Sequence, residues 1–190
     1  MKTEKITDLI ARLEHKTEEH LTVTVKTFQN LTDTALLRPS TTGGWSIAQC
    51  LDHLNRYGHY YLPEIKSAMD RSKRQRDAYA SEGSDFFKSG WFGNYFTNMM
   101  DPKTGKSYKA FKEYIPSLEL NAHEVVAEFI LQQETLLMYL NNAATADLST
   151  RLPISITSLI KLKLGDVFQF LIMHNERHLL QAKRNLGQVL

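Results

Sequence analysis

The feature that most constrains the fold is a helical spacing of apolar residues in four long segments. In each segment apolar side chains return every three or four residues, with polar and charged residues between them. The segments lie at about residues 3–31, 45–76, 121–142 and 166–186. The sequence lacks the alternating apolar and polar pattern that is typical of strands. Four such segments joined by loops predict an all-α fold, a four-helix bundle, and the second loop is long enough to cross that bundle.

Length and composition limit the classes of protein to consider. The 190 residues fit a single domain spanning residues 1–190, and 42% hydrophobic with 23% charged residues is typical of a globular chain. A net charge of +2 gives no electrostatic reason to expect nucleic acid as a partner. No apolar run is long enough for a membrane span, so no membrane partner is expected. One cysteine and a first segment without the apolar core of a signal peptide favour a cytoplasmic location.

Local signals place the helix ends. Ser46 with Gln49 forms a capping-box pattern that begins the second helix, and the same spacing of Asn121 and Glu124 begins the third. Pro63 removes a backbone donor within the second helix, which predicts a kink or break near residues 60–62. In the first helix, His15 and His20 are five residues apart and are expected at the surface or on a second face. The connector of residues 143–165 contains an apolar stretch, 154–160, which is either a helical turn or an extended segment.

An aromatic-rich insertion, residues 77–112, separates the second and third helices. Glycines and prolines interrupt it, and its middle contains a cluster of aromatic residues: Phe86, Phe87, Trp91, Phe92, Tyr95 and Phe96. Burial of an aromatic side chain is worth a few kcal/mol, so these side chains are expected out of water. The first expectation is a loop folded over the bundle with a short helix near residues 91–100. A lid or a contact between two copies in a homodimer is the functional alternative.

Two histidines stand on the apolar face of the fourth helix. His174 and His178 are four residues apart, so their imidazoles lie one above the other and can share one metal ion. A pair of buried histidines without a metal is the plain alternative. His53 on the second helix is the best third ligand, although it is equally consistent with a hydrogen-bonded boundary histidine. His59 and His123 lie at no metal-pair spacing. Cys50, which could bind zinc, is more typical of a small core residue.

These residues belong to two short motifs that resemble a known family. Trp45-Ser46 followed by His53-Leu54 is similar to the second-helix motif of the DinB-like superfamily. The segment from His174 to Gln181 is similar to the H-x-x-x-H-x-x-Q motif on the last helix of that superfamily. With the bundle pattern, the resemblance covers nearly the whole chain. It implies that long or crossing loops join helices one and two, and helices three and four. The insertion of residues 77–112 is a departure from a minimal member and can reshape a substrate cleft.

The resemblance also implies a metal triad of His53, His174 and His178. Zinc or nickel is the first expectation for the ion, with iron, copper or manganese as alternatives. Superfamily members are similar to thiol-dependent S-transferases, to an isomerase that uses a low-molecular-weight thiol, and to metal-dependent hydrolases. A small-molecule substrate and a thiol partner are therefore expected, with thiol transfer ahead of hydrolysis. The contrasting interpretation is a non-catalytic dimeric bundle whose histidines are vestigial or structural.

Other candidates for chemistry are weaker. Tyr57, one turn after His53, can donate a hydrogen bond to an anion at the metal, but a core tyrosine explains it as well. Gln181, one turn after His178, can bond a ligand or the substrate, or make a packing contact. Glu176 is directed away from the arc of the two histidines and is not expected to be a general base. Arg177 is expected at the surface.

Overall fold

Four long helices form the body of the molecule, as the apolar spacing predicts. A computed structural model describes residues 3–41, 43–79, 85–106 and 108–186, with side chains for all of these except 74–79. The long helices are α1 (Ile6–Val23), α3 (Ile47–Tyr79), α5 (Ala122–Ala143) and α6 (Leu164–Leu186). A π-helical turn, Thr24–Phe28, continues α1. The shorter elements are β1 (Thr3–Lys5), α2 (Asp33–Leu37), β2 (Phe86–Lys88), α4 (Trp91–Met100), β3 (Arg151–Ile154) and β4 (Thr157–Lys163), with 3-10 turns at Pro102–Thr104 and Lys112–Tyr114.

The helices pack around the bundle in the order α1, α5, α3, α6. One apolar cluster joins the start of α1 and α6 to the ends of α3 and α5, and a second cluster joins the opposite ends. It follows that α1 runs parallel to α6, and α3 runs parallel to α5. Helices that follow each other in sequence, α1 with α3 and α5 with α6, occupy opposite corners. The expected all-α bundle with long crossover loops is confirmed.

The start of α3 shows why this helix begins where it does. The Gln49 backbone N–H donates to Ser46 Oγ (3.1 Å), and the Ser46 N–H donates to Gln49 Oε1 (3.0 Å). This reciprocal pair is the predicted capping box, which satisfies two donors that no helical carbonyl can reach. The sequence predicted a kink or a break near residues 60–62, and the break was wrong, because α3 is continuous through Pro63. Pro63 lies on the exposed side of the helix, and buried residues before and after it, Tyr61 and Ile65, hold both halves on the core.

The insertion is attached to the bundle at the N-terminal end of α6. Strand β2 pairs antiparallel with β1, and Phe87 of β2 is buried against Gly165. The Gly90 N–H donates to Asp166 Oδ2 (2.9 Å), which fixes the start of α4 on α6. Helix α4 spans Trp91–Met100, as predicted, whereas residues 80–84 and 107 of the predicted insertion lie outside the described part of the chain.

The expectation that the aromatic side chains of the insertion are buried was only partly right. Phe87 is buried, but Trp91 is 66% exposed, and Phe86, Phe92 and Tyr95 are exposed as well. A single helix lying on a bundle can bury only one of its sides. The outer side of α4 therefore presents three aromatic rings to solvent.

Two small sheets complete the described structure, β1 with β2 and β3 with β4. The second is a hairpin within the connector between α5 and α6, in which Arg151 faces Lys163. The apolar stretch of residues 154–160 is thus extended around a turn and is not helical. In the described ranges, no helix has both the length and the apolar character needed to cross a membrane.

Candidate metal centre

His53 is buried in the middle of the bundle, two turns after the capped start of α3. Its Nδ1 lies 2.6 Å from the carbonyl oxygen of Tyr114. A carbonyl oxygen can only accept a hydrogen bond, so Nδ1 carries the proton and donates. The lone pair of the ring is therefore on Nε2, which is directed at the two histidines of α6. Tyr114 ends the 3-10 turn Lys112–Tyr114, so this candidate ligand is oriented from outside the four long helices.

His178 is oriented in the same way from its own helix. Its Nδ1 lies 2.9 Å from Gln181 Oε1, three residues further along α6. Donation from Nδ1 to this amide oxygen again leaves Nε2 with the free lone pair. The structure thus places Gln181 beside a candidate ligand and at the edge of the cleft described below.

His174 is held by aromatic rings. It is buried, and its Nδ1 has no hydrogen-bond partner. The Tyr57 ring meets it edge-on at 4.5 Å between centroids, and the Phe170 ring stacks on it at 5.7 Å. Contact with these two rings fixes the imidazole one turn before His178.

The three imidazoles converge on one point between α3 and α6. One nitrogen from each lies within 4.8 Å of the others, and His53 Nε2 is 3.2 Å from His174 Nε2. Two nitrogens at this separation, one of them with a lone pair directed at its neighbour, are suited to share a cation or a proton. The structure brings together the three residues that the motifs single out, across more than 120 positions of sequence.

Burial keeps these rings in the form that binds metal. Removal from water lowers the pKa of His53 to about 4 and that of His178 to about 3, and His53 lowers the pKa of His178 further. The pKa of His174 is lowered too, first by burial and then by the two neighbouring imidazoles. At neutral pH all three are neutral donors. Three neutral imidazoles within reach of one ion are the donor set of a divalent metal with open coordination positions, so the residues present fit such an ion.

Two aromatic residues of α3 and its preceding loop surround the triad. The Trp45 ring stacks on His178 (5.7 Å between centroids) and lies 4.7 Å from the ring of His53. Tyr57 contacts His53 and His174 edge-on and is buried, which raises the pKa of its phenol. Its hydroxyl therefore stays protonated at neutral pH and remains a donor.

A cleft of about 430 Å³ lies over the triad. The bundle supplies one side, and Met99, Met100 and residues 108–111 of the insertion supply the other. Arg177, which was expected at the surface, lines this cleft, donates to the Lys106 carbonyl and lies over the Tyr108 ring. Lys109 adds a second cation, and among the described residues the lining contains no aspartate or glutamate. The insertion thus forms a wall of the site as well as a cover for the bundle.

Glu176 is outside the site, as its position on α6 predicts. Its Oε2 accepts a hydrogen bond from Nε2 of His20 (2.7 Å), and Lys16 lies 3.6 Å from its other oxygen. Of the two positions expected for His15 and His20, the surface or a second face, His15 is exposed at the surface, whereas His20 is buried between α1 and α6. A signal was present in the sequence. Thr17, His20, Thr24 and Phe28 follow the three- and four-residue steps of a buried face.

The remaining candidates lie away from the cleft. Cys50 is buried in the core, where removal from water raises the pKa of its thiol to about 12. His59 pairs with Glu128 (2.9 Å), and His123 pairs with Asp33 (3.3 Å), both on the surface. Sequence reasoning missed Trp45 and Tyr114 as neighbours of the triad. For Trp45 the sequence motif that contains it was a signal, whereas Tyr114 belongs to no motif.

Comparison with known proteins agrees with this geometry. Residues 16–182 match the sequence profile of the DinB superfamily. One similar solved structure is described as "YfiT from Bacillus subtilis is a probable metal-dependent hydrolase with an unusual four-helix bundle topology". The match has a TM-score of 0.58 at 11% identity and covers 95% of this chain and 87% of that one, which establishes a shared fold. No curated protein matches the chain.

Proposed function

The chain belongs to the DinB superfamily, and from this we propose that it is an enzyme dependent on a divalent metal held by His53, His174 and His178. One observation supports the proposal above all. Three neutral imidazoles present nitrogens within 4.8 Å of one another at the base of a 430 Å³ cleft. Zinc or nickel is the first choice for the ion, followed by iron, copper or manganese.

The arrangement favours a catalytic over a structural role for the ion. Structural zinc sites are closed by four protein ligands, commonly cysteines. Here the three ligands are histidines, and the cysteine one turn before His53 is turned into the core with its thiol protonated. When bound, a divalent ion lowers the pKa of a thiol or water that it coordinates, and so supplies a nucleophile near neutral pH.

We favour transfer of a low-molecular-weight thiol to a small electrophile over hydrolysis. A water bound to a divalent metal keeps a pKa of about 7, so at neutral pH hydrolysis still gains from a base that takes its proton. Among the described residues, no carboxylate lines the cleft, and Glu176 is engaged with His20 on another face of α6. A thiol with a lowered pKa needs no such base, because its proton leaves before the attack. Lys109 and Arg177 favour an anion in the same space.

Hydrolysis is the second candidate, because the similar solved structure is described as a probable metal-dependent hydrolase. In either reaction the side chains of this chain have the same tasks. The Tyr57 hydroxyl donates to negative charge that develops on the substrate. Gln181 orients His178, and the Trp45 ring shields the triad from bulk water.

Metal content of untagged protein tests the proposal. We expect about one equivalent of a divalent transition metal per chain, and its loss in a His53→Ala plus His174→Ala double variant. A His59→Ala plus His123→Ala double variant is the matched control, since it removes two exposed histidines and should keep the metal. Metal below about a tenth of an equivalent, with no difference between the variants, would contradict the proposal and favour a non-catalytic bundle.

A second measurement separates the two reactions. Thiol transfer predicts that a chromogenic electrophile is consumed only when a small thiol is present. Turnover of an ester or amide without any thiol would favour hydrolysis. In both assays the loss of metal in the double variant should remove the activity.

A further inference from the structure

A second cavity, of about 50 Å³, adjoins the cleft over the triad. The two share four lining residues, which are Tyr57, Met99, Met100 and Phe111. We refer to the smaller cavity as the apolar annexe. Its own walls are formed by Tyr61, Phe96, Ile154, Ile156, Leu162 and Phe170, together with Ser155.

Several polar groups around the apolar annexe are already hydrogen-bonded. The Ser155 N–H donates to the Tyr61 hydroxyl (3.1 Å), and the Ser155 carbonyl accepts from the Tyr114 hydroxyl (3.4 Å). The Ile154 carbonyl accepts from the Tyr60 hydroxyl (3.2 Å). These bonds leave hydrocarbon and ring surfaces facing the space. A charged group placed there would lose its hydration and meet mostly apolar surface.

Most of the wall of the apolar annexe comes from segments outside the four long helices. Phe96, Met99, Met100 and Phe111 come from the insertion, and Ile154, Ile156 and Leu162 come from the hairpin between α5 and α6. Tyr57 stands at the junction, with its ring against His53 and His174. An occupant of the annexe is therefore in contact with the same tyrosine that borders the triad.

Resting on the proposed function, we propose that the apolar annexe binds a short alkyl or acyl group of the substrate whose reacting atom lies at the triad. The volume holds about two to four carbon atoms, because a 150 Å³ apolar cavity holds a benzene ring and methionine walls can adjust. The substrate class is thus a small electrophile with a short apolar substituent near its reacting centre. An anionic group, attracted by Lys109 and Arg177, would occupy the main cleft.

Methionine methyl NMR on the full chain tests the apolar annexe without any metal. The chain has six methionines. On addition of 1-butanol we expect the methyl signals of Met99 and Met100 to shift and saturate. Met138, exposed on the outer side of α5, should not shift. Shifts of equal size at Met138, or none at Met99 and Met100, would overturn the proposal.

A matched pair of hairpin variants adds specificity. Ile156 is 41% exposed and lines the apolar annexe, so Ile156→Trp should fill the space and abolish the butanol shifts. Leu159 is 92% exposed on the same hairpin, and Leu159→Trp should leave the shifts unchanged. Ile156→Ala is a second test, which enlarges the apolar annexe and adds no bulk. This variant should bind a longer alcohol than the wild type does. Equal behaviour of the two tryptophan variants would overturn the assignment.

A series of hydroxamates on the zinc-loaded full chain then links the apolar annexe to the triad. From acetohydroxamate to butanohydroxamate we expect binding to tighten about fourfold per methylene and then to level off. In Ile156→Trp the series should be flat, because the tryptophan side chain occupies the space for a longer chain. A flat series in the wild type overturns this proposal and leaves the metal site intact. Failure of acetohydroxamate itself to bind contradicts the metal site instead, and the butanol result stands separately.

Discussion

Nδ1 of His178 and Oε1 of Gln181 lie 2.9 Å apart, one turn from each other on α6. A metal-ligating histidine depends on such a partner for its tautomer and orientation. We expect Gln181→Leu to weaken metal binding about 10- to 100-fold, as measured by competition with a chromophoric chelator. Gln181→Glu keeps an acceptor oxygen and should keep the affinity. Unchanged affinity in Gln181→Leu would show that the bond does not orient the ligand.

Tyr57 can be tested separately from the metal ligands. Tyr57→Phe keeps the ring contacts with His53 and His174 and removes only the hydroxyl. If that hydroxyl donates to charge on the substrate, turnover should fall about 100-fold at unchanged metal content. Tyr95→Phe removes a hydroxyl from the exposed outer side of α4, away from both cavities, and is the control. Equal turnover in both variants would assign Tyr57 to packing alone.

Glu176 lies between two candidate ligands in the sequence, but its side chain faces α1. Its replacement should therefore change stability and leave the metal content unchanged. Replacing it with leucine leaves buried His20 without its partner, and a hydrogen bond to a charged group contributes about 2 kcal/mol. We expect a lower urea midpoint for Glu176→Leu with full metal content. Loss of metal without loss of stability would place Glu176 in the site after all.

The docking of the insertion on α6 depends on Gly93. A β-carbon at this position would come within 2.1 Å of Cγ of Asp166, closer than any real contact. Gly93→Ala should therefore lower the free energy of unfolding by about 1–3 kcal/mol. Gly44→Ala, whose nearest new contact is 3.6 Å, is the control and should change stability little. Equal urea midpoints for the two variants would contradict the close packing of α4.

Asp166 predicts a pH dependence of stability. Burial raises the pKa of this carboxyl above its unfolded value of 3.8, against opposing hydrogen bonds from Gly90 and Ser89. The folded state thus binds a proton more tightly than the unfolded state, and stability is lost as pH rises from 3.8 through the raised pKa. The free energy of unfolding of the wild type minus that of Asp166→Asn should be larger at pH 4 than at pH 7. Urea unfolding at the two pH values measures this difference, and a difference that is independent of pH would contradict it.

Much of the fold could be predicted from the sequence because its signals are local. Contacts between neighbouring residues determine the capping box of Ser46 and Gln49 and the short helix at residues 91–100. Both features are found at the predicted positions. Pro63 misled because its effect depends on which side of the helix it occupies. The hairpin at 151–163 was missed because its strands are short and their pairing depends on the connector being folded.

The second half of α1 shows the limit of apolar spacing. Leu21 and Val25 are apolar but not buried, whereas the polar residues Thr17, His20 and Thr24 are buried. Thr17 and Thr24 satisfy their hydroxyls by donating to the carbonyls of Leu13 and His20, both at 2.8 Å. Polar side chains that bond their own helix can occupy a core face, and hydrophobicity alone does not detect them.

The surroundings of the triad were the least predictable part. Each of the three histidines belongs to one of the two sequence motifs. The Tyr114 carbonyl that orients His53 is a backbone group, and it has no signature in the sequence. The same holds for the cleft wall at Met99 and Met100, because only the tertiary position of α4 brings it there.

The diagonal connection of successive helices has a kinetic consequence. His53 and His174 are 121 residues apart in sequence, and the long connection from α3 to α5 and the crossing from α5 to α6 must be in place before their nitrogens meet. Closing such long loops has an entropic cost that local helix contacts cannot offset early in folding. The chain should therefore fold more slowly than a bundle of equal length with hairpin connections, and its metal-binding pocket should be among the last parts to form during refolding.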